Sequence, residues 1–279
     1  MAWPPLKQQL SNAMDPGYLL WYSAIYHITT AYQFLVVEHH LPTLTNLKKV
    51  KEDAFASFWN WLTKPVIPPP QPVGSATLVP PLIAKAHGKV LHIGPGSGAH
   101  VAYFSGNSNI DVVLAAEPAV GMHSDLQGCI DAANLPFKYQ IINSTADKAS
   151  LIPALRTYDE QFKSSEHIFD SIISVRVLCS VPDLDKTTRE LYQMLKPGGQ
   201  LILVEHVKNP WTTTGSLFAR SMQIVWHLLG WKFFLAGCHL NRDTAAALKN
   251  AGNWAKFDLK LDFEWAPFTY ISGILTKPL

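Results

Sequence analysis

Five short apolar runs separated by helix-like segments occupy residues 89–205, and this alternation limits the fold more than any other feature of the chain. The runs are KVLHI (89–93), DVVLAA (111–116), FKYQII (137–142), FDSIISV (169–175) and QLILVE (200–205). Strands this uniformly apolar belong in a sheet covered on both faces. Their spacing, with a helix between successive strands, predicts an α/β domain built on a mostly parallel sheet.

Residues 1–74 follow a different pattern. The stretch 16–37 carries no Asp, Glu, Lys or Arg and has the length to cross a bilayer, which takes about 20 apolar residues. Ser23, His27, Thr29, Thr30 and Gln33 interrupt it, while Tyr18, Tyr22 and Tyr26 recur at four-residue spacing. That pattern predicts a helix with an aromatic and a polar side, packed on the domain, with a membrane-surface helix and a membrane span as the alternatives. Residues 48–62 predict a second amphipathic helix. PVIPPPQPVG (65–74) cannot continue it, because proline lacks an N–H and restricts the residue before it, so an extended linker is expected. The expected division is a helical cap and linker over 1–74 and a main domain over 75–279, with 207–240 inserted on the substrate side.

Formal charge is only +2 and charged residues make up 16% of the 279, against about 25% in an average protein. No basic stripe exists to bind nucleic acid. Four of the nine Trp precede residue 62 and five follow 210, with none between. Cys129, Cys179 and Cys238 are odd in number and form no C-x-x-C pair, which predicts neither disulfides nor a metal site. With no basic segment leading an apolar run at the N-terminus, a cytoplasmic location is expected.

The chemistry concentrates after the first run, in HIGPGSGA (92–99). Glycines there permit a tight turn and let a ligand approach backbone N–H groups, and the motif is predicted to open a helix. Glu117, ending the second run, can accept hydrogen bonds from both hydroxyls of a ribose. Together they predict a nucleoside-containing cofactor. A dinucleotide remains open, since Gly94, Gly96 and Ala99 also satisfy G-x-G-x-x-(G/A).

LKPGG (195–199) before the fifth run and FDSIISVRVLCSV (169–181), taken with GPGSG (94–98) and Glu117, resemble class I S-adenosylmethionine-dependent methyltransferases. The resemblance implies a Rossmann-like fold with a mostly parallel seven-stranded sheet, flanking helices, an N-terminal helical extension here, and S-adenosylmethionine as cofactor. VLCSV (177–181), EHV (205–207), WHLL (226–229) and GCHLNR (237–242) look like the methyltransferase-like thiol methyltransferases, a membrane-associated group. They also resemble fungal secondary-metabolite methyltransferases of the gliotoxin N-methylating type. This implies methyl transfer to N or S, less readily O, of a small apolar molecule. Carried over by position, Gly94, Gly96 and Gly98 approach the amino-acid portion of the cofactor, Glu117 the ribose and Asp147 the adenine amino group, with Arg176 at the cofactor-facing edge. His92 departs from the pattern. The family usually has an acid there to help hold the cofactor ammonium, and a neutral histidine brings no charge.

Transfer from a sulfonium requires mainly alignment of the acceptor and exclusion of water. His206, directly after the fifth run, stands where parallel sheets bind ligands. It and His227, in the aromatic stretch 226–234, are the candidates for base or substrate contact. His239 lacks further metal ligands at suitable spacing, and Cys179 reads as a small buried hydrophobe. An NAD(P)-dependent oxidoreductase and a non-enzymatic membrane- or protein-binding module are the alternatives.

Overall fold

The computed structural model describes residues 3–64, 71–159 and 165–279; most of the proline-rich segment, 65–70, lies outside the described residues. The chain begins with helices α1 (Leu6–Ala13), α2 (Asp15–Ala31), which runs on into a π-helical turn (Tyr32–Val37), and α3 (Leu44–Leu62). The Thr43 hydroxyl starts α3 by accepting the Asn46 N–H at 3.2 Å, an N-cap. Val50, Ala54 and Phe58, four residues apart, then form its buried stripe. After α4 (Pro80–Ile83) the sheet begins. No helix among the described residues is long and apolar enough to cross a membrane.

Seven strands follow: β1 (Gly88–Ile93), β2 (Ile110–Ala116), β3 (Lys138–Ile142), β4 (Phe169–Val175), β5 (Leu195–Val207), β6 (Lys256–Asp262) and β7 (Thr269–Thr276). Their order is β3-β2-β1-β4-β5-β7-β6. The first five lie on the five apolar runs, β5 also taking in LKPGG (195–199), and pair in parallel, whereas β7 runs antiparallel to both β5 and β6. The helices α5 (His123–Ala133), α6 (Lys148–Tyr158), α7 (Leu184–Met194), α8 (Leu217–Trp226), α9 (Lys232–Phe234) and α10 (Thr244–Asn250) complete the chain.

Side chains alternate across the sheet. Leu91, Ile93, Leu114, Ile172, Leu201 and Leu203 pack on one face with Leu151, Leu155, Leu191 and Leu248 of α6, α7 and α10. Val90, Val113, Ala115, Ile173, Ile202 and Val204 pack on the other with Ile83, Phe104 and Leu126. A third cluster joins the two tryptophan-rich ends of the chain: Phe58 from α3 meets Trp231, Leu235 and Leu240, flanked by Trp59 and Trp226. The Trp226 indole donates to the Ala13 carbonyl at 2.9 Å and the Ser23 hydroxyl to that of Phe234 at 2.7 Å. Fully buried Asn209 secures the segment after β5 to the sheet, donating to the Glu264 carbonyl and Thr269 hydroxyl and accepting the Ser216 N–H.

The helix expected directly after the glycine turn is instead a single 3₁₀ turn, Val101–Phe104. Ser105, Gly106, Asn107 and Ser108 follow within a few residues, and turn-forming residues so close leave no room for an α-helix.

Candidate active site

Strands β2 and β3 lie to one side of β1, β4 and β5 to the other, so the strand order reverses between β1 and β4. Ligands of open α/β sheets bind beyond the carboxyl ends at such a reversal. Here that place holds the glycine turn. Gly94, Gly96 and Gly98 all have positive φ, +54°, +60° and +95°. A Cβ on Gly94 would come within 2.7 Å of Val177 Cγ2, and one on Gly96 within 3.0 Å of Trp59 Nε1. Helix α3 lies over this turn: Asn60 donates to the Gly121 carbonyl at 3.0 Å, and the hydroxyls of Thr63 and Ser97 are hydrogen-bonded.

Glu117 leaves β2 with its carboxylate 5% exposed. One oxygen accepts the Gly96 N–H at 2.9 Å and the other the Ala119 N–H at 2.8 Å. Burial raises its pKa, and those two bonds oppose the rise. The carboxylate therefore braces the turn while keeping lone pairs for a further donor. Asp147 is the N-cap of α6, accepting the Ser150 N–H at 3.1 Å and the Thr145 hydroxyl. Burial works against its charge, but these bonds outweigh it and hold the carboxyl below its usual range. An adenine amino group would share this carboxylate with both.

Arg176 has a left-handed backbone, φ +59°, an uncommon conformation for a non-glycine residue, and such strain gathers at functional sites. Its guanidinium donates to the Ser75 hydroxyl at 3.0 Å and lies over the Tyr270 ring. His92 is 1% exposed, with Nδ1 2.7 Å from the Tyr139 hydroxyl. Burial drives its pKa down to about 3. It is neutral and supplies no charge to an ammonium group.

On the β4–β5 side the chain gathers residues that spacing did not connect. Cys179 after β4, His206 at the end of β5 and Cys238 after α9 present ligand atoms within 4.8 Å of one another, all three buried. His206 Nε2 lies 3.2 Å from Cys238 Sγ, which also accepts the Trp231 indole N–H at 3.2 Å. Burial disfavours charge on His206, yet the neighbouring Cys179 sulfur and Glu205 carboxylate raise its pKa above the usual histidine value. His227 is not in this group. Its ring stacks on His239 at 5.3 Å, and burial, with Lys232 and Arg220 adding, lowers its pKa. Glu205, fully buried, accepts the Ser174 hydroxyl at 2.6 Å and the Val177 N–H at 3.0 Å through one oxygen. Neither the Cys179–Cys238 pairing, 59 positions apart, nor the bracing role of Gly96 for Glu117 left a mark in motif spacing.

Among the described residues, His92 Nε2, Arg176 Nε, Glu205 Oε2 and His206 Nδ1 are buried without a hydrogen-bond partner. Others lie elsewhere, at His27, Asn60, Gln200, His227 and Thr244, but buried polar atoms are nearly always satisfied, so the four at the carboxyl ends of β1, β4 and β5 are places that a polar ligand would complete. A carboxylate at the end of β2, a cradle that Cβ atoms would fill, and the partnerless Arg176 Nε and Glu205 Oε2 suit a nucleoside joined to a zwitterionic amino acid. The residues fit S-adenosylmethionine.

A family model described as a methyltransferase domain matches residues 75–261. Rat thiol S-methyltransferase TMT1B is 32% identical over 111 residues, 39% of this chain and 41% of that protein. Human thiol S-methyltransferase TMT1A is 26% identical over 184 residues, 65% of each. The lovastatin nonaketide synthase mokA of Monascus pilosus is 28% identical over 130 residues, 46% of this chain and 4% of the synthase. The chain thus spans less than two thirds of the length of these relatives. Of solved structures, PigF with SAH superposes with a TM-score of 0.50 at 16% identity, covering 93% of this chain and 70% of that one, a likeness of fold. The antiparallel β7 set between β5 and β6 also departs from the parallel dinucleotide-binding order, which removes the oxidoreductase alternative. With the methyltransferase-domain model matched over 75–261 on a sheet of this order, the chain belongs to the class I S-adenosylmethionine-dependent methyltransferase family.

Proposed function

We propose that this protein transfers the methyl group of S-adenosylmethionine to the sulfur of a small apolar thiol, in fungal secondary metabolism. The observation that carries the acceptor assignment is the buried Cys179–His206–Cys238 group at the carboxyl end of β4 and β5, walled by Phe58, Trp231 and Leu240. The bound cofactor supplies an already activated methyl group on a sulfonium. Gly94, Gly96 and Gly98 let its amino-acid end approach the backbone, Glu117 accepts the ribose hydroxyls, Asp147 meets the adenine amino group, and Arg176 pairs with its carboxylate. His206 contacts the acceptor and His227 lines the pocket approach.

A thiol suits this wall better than an amine. Its pKa of about 8.5 leaves a reactive fraction ionised near neutrality, whereas an alkyl amine near 10.4 needs a strong base beside it. The aromatic wall excludes water and favours an apolar acceptor. The two thiol S-methyltransferase relatives support sulfur, and the match to mokA supports placement in secondary metabolism.

The proposal extends to contact with a membrane surface. Tyr18, Trp21, Ile25, Ile28 and Tyr32 are exposed along α2, beside exposed Leu228, Leu229 and Phe233. The Ser23–Phe234 hydrogen bond and the His27–Phe233 ring contact, made by the buried side of α2, pack it against the segment that carries the second set. Apolar patches this large mark interaction surfaces, and Tyr and Trp favour the membrane interface.

The test is incubation of the purified chain and S-adenosylmethionine with matched aromatic and alkyl thiols, amines and phenols, read by mass spectrometry. A one-methyl increase on thiols is expected. Methylation of amines alone would overturn the sulfur assignment. Calorimetry that found no binding of S-adenosylhomocysteine would favour the non-enzymatic module.

A further inference from the structure

We propose that Cys179, His206 and Cys238 bind a soft divalent cation, zinc in class, whose open fourth position takes the acceptor thiol as a thiolate. This rests on the thiol reading above and deepens it. The three ligand atoms lie within 4.8 Å of one another. A tetrahedral zinc with bonds of about 2.3 Å to sulfur and 2.0–2.1 Å to nitrogen holds its donors roughly 3.5–3.8 Å apart. Small side-chain rotations close that difference, and the 3.2 Å between His206 Nε2 and Cys238 Sγ is already inside it.

The frame carrying the donors is tied together independently of any ion. The His239 N–H donates to the Cys179 carbonyl at 2.9 Å, the Arg242 guanidinium to the Leu178 carbonyl at 2.8 Å, and the Lys208 N–H to the Arg242 carbonyl at 2.8 Å. These bonds fix the loop after β4, the end of β5 and the loop before α10 against one another. The Trp231 indole N–H on Cys238 Sγ is the kind of outer contact that orients and steadies a ligating thiolate. Two sulfurs and one imidazole nitrogen select zinc-like ions over magnesium or calcium. Among the described residues the group holds three protein ligands and no fourth, the pattern of a site that keeps a position for substrate.

Charge favours the same occupant. Two cysteine thiolates neutralise the dication, so an incoming thiol that loses its proton to water makes the complex singly negative beside a positive sulfonium. The thiolate lone pair forms a carbon–sulfur bond to the methyl carbon. The sulfonium carbon–sulfur bond breaks with its electron pair remaining on the departing sulfur, leaving neutral S-adenosylhomocysteine. The product thioether is neutral, a weaker ligand than the thiolate, and leaves the ion.

Protein purified under reducing conditions, without chelator, from zinc-supplemented cells is expected to carry about one zinc per chain by elemental analysis, and Cys179→Ser and Cys238→Ser to lose it. Retained S-adenosylhomocysteine binding by calorimetry shows that each variant is folded. Cobalt(II)-loaded wild type is expected to show thiolate-to-cobalt charge-transfer absorption, with visible bands that move when an aromatic thiol is added. A reduced, folded wild-type chain that retains neither metal overturns the site, as does quantitative recovery of a Cys179–Cys238 disulfide from freshly isolated protein. Undiminished thiol methylation by metal-stripped protein overturns the site and leaves methyl transfer to sulfur standing. Stoichiometric metal whose cobalt spectrum no thiol moves overturns the acceptor role.

Discussion

His92 stands where the resemblance implies an acid, and its burial makes a prediction about stability that can be worked through. The ring is 1% exposed, bonded to the Tyr139 hydroxyl through Nδ1, and its pKa falls from 6.5 to about 3. A histidine whose folded pKa lies below its unfolded one contributes full stability above the unfolded value and loses it as pH falls. Between pH 6.5 and 5 the unfolded ring takes up a proton that the folded ring refuses. That is about 1.5 pH units at about 1.36 kcal/mol each, or about 2 kcal/mol lost at pH 5. For a chain of this size the loss corresponds to roughly 4–8 °C in Tm. His92→Gln keeps a group able to bond Tyr139 but removes the titration, so its Tm should fall by about that much less than wild type between pH 8 and pH 5. His100, whose pKa burial, Arg176 and His92 lower, titrates in both proteins. Equal acid sensitivity in both proteins, or an imidazole resonance assigned to His92 that titrates near 6.5, would refute the assignment of a buried neutral ring.

Glu117→Ala removes the acceptor proposed for the ribose hydroxyls and leaves the Gly96 and Ala119 N–H groups without their partner. Two bonds to a charged group, at about 1.5 kcal/mol or more each, imply a roughly 100-fold weaker S-adenosylhomocysteine affinity; calorimetry giving wild-type affinity would sink the cofactor assignment. On the proposed membrane face, Trp21→Glu, Ile28→Glu and Leu228→Glu together replace side chains that are 66%, 68% and 78% exposed. The triple variant should no longer float with liposomes while binding S-adenosylhomocysteine as before, and unchanged flotation would remove the surface-contact proposal.

The cofactor half was legible because its constraints are local. An apolar run, glycines at 94, 96 and 98 and an acid at 117 occupy one β1–turn–β2 stretch, and backbone sterics demand those residue types there. Helix length after the turn was misjudged because the turn formers at 105–108 were outweighed by the expected pattern. Strands β6 and β7 are implied by the seven-stranded resemblance but marked by no clear apolar run: KFDLKLD on the sheet edge is largely exposed, while Gly273 breaks the apolar run of β7. The acceptor half was illegible for a topological reason. Cys179, His206 and Cys238 meet only because β4 and β5 are neighbours and the 207–240 insertion folds back over their ends, and no short spacing encodes that.

Helix α3 ties the two halves together through adjacent side chains. Trp59 rests on Gly96 of the cofactor turn, while Phe58 is fully buried in the cluster that holds Cys179 and Cys238. A displacement of α3 that admits a ligand at one end must therefore loosen the packing at the other, since a close-packed cluster does not deform continuously. Helix α2 lies against α3 through the Tyr22–Trp61 and Tyr26–Phe58 ring contacts, and α2 is the helix that carries the exposed apolar face. Under the proposed function, an apolar acceptor partitioned into a membrane would meet the helix pair packed against the glycine turn and the Cys179–Cys238 cluster. Phe58 and Trp59 from one end of the chain and Trp226 and Trp231 from the other, which look like separate features in the sequence, pack in the fold as one cluster.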